Sequence, residues 1–77
     1  MQKERLVILG GGESGVGAAI LGVAKGYETF VSDFGAIQPS YKAELDKKGI
    51  PYEENRHTDD LILNAVLYSD HQALSKA

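Results

Sequence analysis

The residues best suited to chemistry form a glycine-rich stretch, LGGGESGVG, at positions 9–17. Gly10, Gly12 and Gly15 follow the G-x-G-x-x-G pattern, which between a strand and a helix is typical of a phosphate-binding loop. The first glycine allows a sharp turn, the second admits the phosphate close to the backbone, and the third lets the helix pack against the strand. The pattern therefore predicts a nucleotide-type ligand. The alternative is a glycine turn that serves packing only.

An acid at the end of the next predicted strand supports the nucleotide interpretation. Asp33 stands where nicotinamide-binding domains place an acid that accepts hydrogen bonds from ribose. In other nucleotide folds the same position meets a ribose or a base, and the alternative is a solvated acid. Within the loop, Ser14 is suited either to capping the helix or to donating to phosphate. Glu13 is expected to use only its amide, because its carboxylate would repel a phosphate.

Several other chemistries are excluded by the residue types present. A P-loop needs lysine and a hydroxyl residue where this chain has Ala18-Ala19, so these residues form no ATPase loop. There is no cysteine, and no Ser-His-Asp set can be assembled. His57 with Asp59 and Asp60 suggests a metal, but helix capping explains the two acids better. We predict no catalytic residue and no metal site.

The elements that must position the loop alternate between strands and helices. Residues 6–9 form an uninterrupted apolar run, as expected for a strand buried on both faces of a parallel sheet. Further predicted elements follow it: a helix at 16–25, a strand at 28–33, a helix at 40–48, a strand at 50–54, a short helix capped by Thr58, and a strand at 65–68. This order predicts an α/β fold with right-handed crossovers.

The predicted architecture is a Rossmann-like parallel sheet of about four strands with helices on both faces. A doubly wound domain usually has about six strands, so the sheet is expected to be truncated. Residues 69–77 are polar and are expected to form a frayed helix or a tail. An unpaired edge strand in such a sheet favours weak self-association.

Composition sets the protein class. The 77 residues suffice for one domain, with 43% hydrophobic and 25% charged residues. A net charge of −3 with scattered acids argues against nucleic acid or an anionic membrane surface as partner. The apolar run near the N-terminus is too short for a signal peptide or a membrane span. These features, together with the absence of cysteine, favour a cytoplasmic protein.

Beyond the glycine loop, three sequence blocks in order resemble the N-terminus of the bacterial Mur ligases. The blocks are RLVILGGGESGVGAAILGVAKGYETFVSDFG, YKAELDKKGI and EENRHTDDLILNA, and they run from Arg5 to Ala65. The resemblance implies that residues 1–77 are the N-terminal, Rossmann-like UDP-substrate domain of a three-domain ligase. ATP and magnesium then belong to a central domain and the incoming amino acid to a C-terminal domain, so this segment has no cofactor and is inert alone.

The resemblance also implies specific binding residues. It assigns the UDP diphosphate to the backbone of four loop residues: Gly12, Glu13, Ser14 and Gly15. It places Asp33 and Phe34 in the uracil and ribose pocket. The chain departs from the family after the fourth strand, where Ser69-Asp70-His71 replaces a Ser-Pro-Gly turn.

Two other interpretations stay open from the sequence. One is an NAD- or flavin-binding Rossmann module of an oxidoreductase or a regulatory protein, for which Asp33 is equally suitable. The other is a domain without a ligand, in which the glycine loop serves packing.

Overall fold

A computed structural model of the chain describes residues 3–63, 65–69 and 72–76. Strands and helices alternate along most of it. The elements are β1 (Arg5–Leu9), α1 (Glu13–Ala24), β2 (Glu28–Ser32), α2 (Pro39–Lys47), β3 (Tyr52–Glu53), α3 (Asp59–Ile62), β4 (Val66–Ser69) and β5 (Gln72–Lys76). The predicted alternation is confirmed, with shifts of one to three residues at most boundaries.

The strands form one sheet in the order β3-β2-β1-β4-β5. The first four strands are parallel, and Leu6 of β1 lies opposite both Thr29 of β2 and Val66 of β4. This arrangement confirms the α/β, Rossmann-like fold with four parallel strands. The chain crosses over β2 and β1 between β3 and β4, and β1 is the central strand of the sheet.

The prediction of a frayed helix or tail for residues 69–77 was wrong over most of its length. Ser69 ends β4, and Gln72–Lys76 forms β5, which runs antiparallel to β4. Without β5, the outer side of β4 would present a row of unpaired backbone groups, and a following segment gains hydrogen bonds by pairing with it. Residues 70, 71 and 77 of the predicted tail lie outside the described residues.

The main core lies between the sheet and helices α1 and α2. Alternate residues of β1 point toward α1, and the buried apolar residues of this face form one cluster: Leu6, Ile8, Val16, Ala19, Val31, Ile37, Leu45, Ile50 and Val66. Helix α1 runs very close to the sheet at Gly22, where an added Cβ would lie 2.4 Å from Leu6 Cδ2. The small residues of α1 therefore set the distance between helix and strand.

The short helix α3 lies on the opposite face of the sheet. Arg5, which points away from α1, donates from its guanidinium to the carbonyl oxygen of Leu61 at 3.2 Å. Val7 on the same face is completely buried. Helices therefore lie on both faces, as predicted. Within the described residues, no helix is both long and apolar enough to cross a membrane.

Candidate functional site

The carboxyl ends of β1 and β2 hold the glycine loop in place. The amide of Gly10 donates to the carbonyl oxygen of Ser32 at 2.8 Å, which continues the β1–β2 pairing past the end of β1. Gly10 has a φ of 116°, in the left-handed region that side chains disfavour. The chain turns there into α1, so the predicted turning role of the first glycine is confirmed.

The second and third glycines of the pattern lie in very different surroundings. Gly12 is exposed, precedes α1, and has no protein atom within 4 Å of the position where a Cβ would stand. Gly15 is buried, and a Cβ there would lie 1.8 Å from the carbonyl oxygen of Gly10. The packing role predicted for Gly15 is therefore confirmed. The space beside Gly12 is open to an incoming group.

Helix α1 begins inside the loop. It was predicted to start at residue 16 but starts at Glu13, because the amide of Val16 donates to the carbonyl oxygen of Gly12 at 2.9 Å. Glu13, Ser14 and Gly15 therefore form the first helical turn. Amides of this turn have no intrahelical acceptors, and the helix dipole favours an anion beside them. Glu13 and Ser14 are exposed.

Asp33 ties the glycine loop to the loop that follows β2. Its Oδ2 atom accepts the amide of Gly11 at 2.7 Å, and its Oδ1 atom accepts the amide of Gly35 at 2.8 Å. Asp33 therefore holds two loops together, a structural role that neither the ribose ligand nor the solvated acid of the sequence analysis included. Each carboxylate oxygen has about two acceptor positions, so the side chain can still accept a bond from a ligand.

Phe34 presents an aromatic surface beside Asp33. Phe34 is 76% exposed, and its ring is tilted by 30° against the ring of His57, with the two ring centroids 5.6 Å apart. The structure therefore brings the glycine loop, Asp33 and Phe34 to one edge of the sheet, at the carboxyl ends of β1 and β2. Open α/β sheets bind ligands at this edge.

A partly buried polar cluster next to Phe34 was missed from the sequence. Ser32 Oγ lies 2.8 Å from Glu53 Oε2 and 2.5 Å from His57 Nδ1. Thr58 donates to Glu53 from its amide at 2.8 Å and from its hydroxyl at 2.6 Å. Thr58 was predicted to cap α3, but its hydroxyl serves Glu53 instead. Parallel pairing of β2 with β3 brings Ser32 and Glu53 together.

The cluster does not form a catalytic triad. Ser32 has no exposed surface, so no substrate reaches its hydroxyl. Glu53 contacts the serine directly, whereas in a triad the acid orients the histidine. Among the described residues, no group of three or more histidine or acidic side chains could hold a metal ion.

Hydrogen bonds lower the pKa of Glu53. Burial, the largest single influence, acts to raise the pKa, but the donors from Thr58 and Ser32 and the charge of Arg56 outweigh it. The pKa of Glu54 is also lowered, first by the amide of Ile37 and then by Lys42, whose Nζ lies 3.1 Å from its carboxylate. The ionised carboxylates of Glu53 and Glu54 therefore stabilise the folded state.

We expect the free energy of unfolding to fall as the pH drops below about 4.5. A pKa lowered in the folded state means that the unfolded chain binds more protons, so the stabilisation is present above the unfolded value and is lost as pH falls through the folded one. Glu53→Gln should flatten this dependence in part, leaving the contribution of Glu54. Urea unfolding of both proteins between about pH 3 and pH 7 measures it. Parallel curves would refute the role of Glu53.

Comparison with known proteins identifies relatives of this site. No family model matches the chain. It is 60% identical over 63 residues to the UDP-N-acetylmuramoylalanine–D-glutamate ligase of Porphyromonas gingivalis, covering 82% of the chain and 14% of that ligase. The same ligase of Bacteroides thetaiotaomicron is 60% identical over 62 residues, covering 80% and 14%. That of Cytophaga hutchinsonii is 53% identical over 64 residues, covering 83% and 14%.

A solved structure with a similar fold is the bacillithiol disulfide reductase of Bacillus cereus. It matches 71% of this chain and 20% of its own, with a TM-score of 0.55 and 25% identity. The likeness supports the Rossmann-like fold. It is weaker than the likeness to the ligases and does not favour the oxidoreductase interpretation. The chain, which spans 14% of the length of the ligases it matches, is a homologue of their N-terminal part, and its resemblance to the Mur ligases is confirmed.

Proposed function

We propose that the chain binds the UDP portion of UDP-N-acetylmuramoyl-L-alanine for an ATP-dependent ligase that adds D-glutamate in peptidoglycan synthesis. The observation that carries this proposal is the 60% identity to ligases of that name over four fifths of the chain. The open space beside Gly12, at the start of α1, supports it independently. An anion at that position would accept hydrogen bonds from the amides of the first helical turn and would be stabilised by the dipole of α1.

Each predicted residue has a distinct role in this proposal. The diphosphate lies against the backbone of the first turn of α1 and the residue before it: Gly12, Glu13, Ser14 and Gly15. Asp33 uses its remaining acceptor positions for the ribose or the uracil, while its existing bonds hold the loop. Phe34 supplies an exposed ring for the base to pack on, and burial of that ring adds to the affinity.

The chain binds substrate in this proposal without carrying out the reaction. The lysine-bearing ATP loop, magnesium and the D-glutamate site belong to the rest of such a ligase, and the segment is inactive alone. Its proposed location is the cytoplasm, where this substrate is made. Self-association through the β3 edge of the sheet is expected to be weak, because β3 has only two residues and follows Pro51.

Gly12→Ala is expected to weaken binding of UDP-N-acetylmuramoyl-L-alanine at least about tenfold and to lower the free energy of unfolding by no more than about 1 kcal/mol, because alanine is a poorer N-cap than glycine. The added methyl group meets no protein atom but enters the space proposed for the diphosphate. Gly17→Ala is the matched control, since it also meets no atom within 4 Å and lies one turn along α1. NMR titration of the labelled chain measures both affinities.

A parallel titration with NAD separates this proposal from the oxidoreductase alternative. Shifts at Gly12, Gly15 and Asp33 with the UDP ligand alone are the expected result. Shifts with NAD alone, or equal affinities of Gly12→Ala and the unmodified chain, would contradict the proposed function.

A further inference from the structure

The hydrogen bonds around Ser32 determine where the proton of His57 lies. Ser32 Oγ carries one hydrogen but has three polar neighbours: Glu53 Oε2 at 2.8 Å, the carbonyl oxygen of Arg56 at 3.3 Å, and His57 Nδ1 at 2.5 Å. The carboxylate and the carbonyl are acceptors only. Glu53 is ionised at neutral pH, because the surrounding donors hold its pKa below the usual value.

When His57 is neutral, only one proton arrangement satisfies these groups. If Ser32 donated to His57, its fully buried oxygen would face the Glu53 carboxylate with no hydrogen between them. Ser32 therefore donates to Glu53, and His57 Nδ1 must donate to Ser32. A neutral imidazole protonated at Nδ1 carries its lone pair at Nε2. Nε2 lies across the ring from Ser32, and His57 is exposed.

We propose that His57 is a specificity-determining residue for the base of the bound nucleotide. Resting on the proposed function, this inference adds that Nε2 accepts the ring N–H of uracil, with Ser32 as the positioning residue that fixes the tautomer. His57 lies against Phe34, the exposed ring next to Asp33, which is bonded to the glycine loop. The acceptor is thus on the same edge of the sheet as the proposed diphosphate site.

The fixed tautomer discriminates between pyrimidines. Uracil carries a hydrogen on N3 and donates to Nε2, whereas N3 of cytosine is itself an acceptor and would face a second lone pair. Once the bound base covers Nε2, leaving this acceptor without a donor costs enough to give about a tenfold difference in affinity or more. The site should therefore bind UDP at least about tenfold more tightly than CDP.

The tautomer is measured first, without ligand. Long-range ¹H–¹⁵N NMR of the histidine side chains at about pH 8, where an ordinary imidazole is neutral, distinguishes a protonated Nδ1 from a protonated Nε2. The chain has two histidines, and an His71→Gln variant assigns the signals of His57. The expected form is protonated at Nδ1. In the Ser32→Ala variant, His57 should be a mixture of the two neutral tautomers. His57 protonated at Nε2 would overturn the inference while leaving the proposed UDP binding intact.

Binding of UDP and CDP is then compared for the unmodified chain and His57→Phe. The phenylalanine keeps a ring against Phe34 but offers no acceptor. We expect UDP to bind about tenfold more weakly to the variant, with the preference over CDP lost. An unchanged preference would overturn the role of His57 alone. Failure of the unmodified chain to bind UDP would overturn both this inference and the proposed function.

Discussion

Gly15→Ala is expected to lower the free energy of unfolding by at least about 3 kcal/mol, enough to unfold much of a small domain. The added Cβ would lie 1.8 Å from the carbonyl oxygen of Gly10, far inside any allowed contact. That carbonyl cannot move aside freely, because the Gly10 amide is bonded to Ser32 in the neighbouring strand. Relief requires that α1 move away from β1, which would open the main core.

A second alanine variant in the same helix is the matched control. Gly17 lies in α1 with nothing within 4 Å of its Cβ position, so Gly17→Ala should raise stability by about 0.5–1 kcal/mol through helix propensity. Urea unfolding followed by circular dichroism measures both variants. Equal free energies of unfolding for the two variants would refute the close contact at Gly15.

The order and the type of the strands and helices could be predicted from the sequence, because each element depends mainly on a local residue pattern. The apolar run at 6–9 and the glycine pattern after it identify β1, the turn and α1 without tertiary information. The start of α1 was placed three residues late, since Ser14 and Gly15 have low helix propensity and the glycine pattern was assigned to the loop as a whole. The glycine pattern did single out Gly15, which has no room for a side chain, as the packing glycine, whereas Gly17 lies outside the pattern and has room for one.

Contacts between distant residues were the part that the sequence did not reveal. Ser32, Glu53 and His57 are more than 20 positions apart at their extremes, and they meet only because β2 and β3 pair in one particular register. The strand β5 was missed for a similar reason: its polar residues show no strand pattern, and its pairing depends on the open side of β4. The hydrogen bond between Asp33 and Gly11 joins two loops and is another contact between distant residues that the sequence did not reveal.

Asp33→Asn is expected to lower the free energy of unfolding by about 2 kcal/mol and to weaken UDP binding at least about tenfold. The aspartate accepts two amides, from Gly11 and Gly35, with one oxygen for each. An asparagine of the same shape has one acceptor oxygen, so its NH₂ group would face the hydrogen of the other amide. One loop would lose its attachment, and the amides of the glycine loop would lose their alignment.

The Asp33→Asn variant distinguishes a residue that only contacts the ligand from one that also holds the binding loop in shape. Were Asp33 a ligand contact alone, the asparagine variant would keep the stability of the unliganded chain, and the amide signals of Gly11 and Gly35 would not move. We expect both signals to shift and both stability and affinity to fall, because the same carboxylate holds the loop and, in the proposed function, faces the nucleotide. Asp46→Asn, an exposed acid on α2, is the control and should change neither quantity. A stable Asp33→Asn chain with weakened UDP binding would show that the glycine loop keeps its shape without this carboxylate.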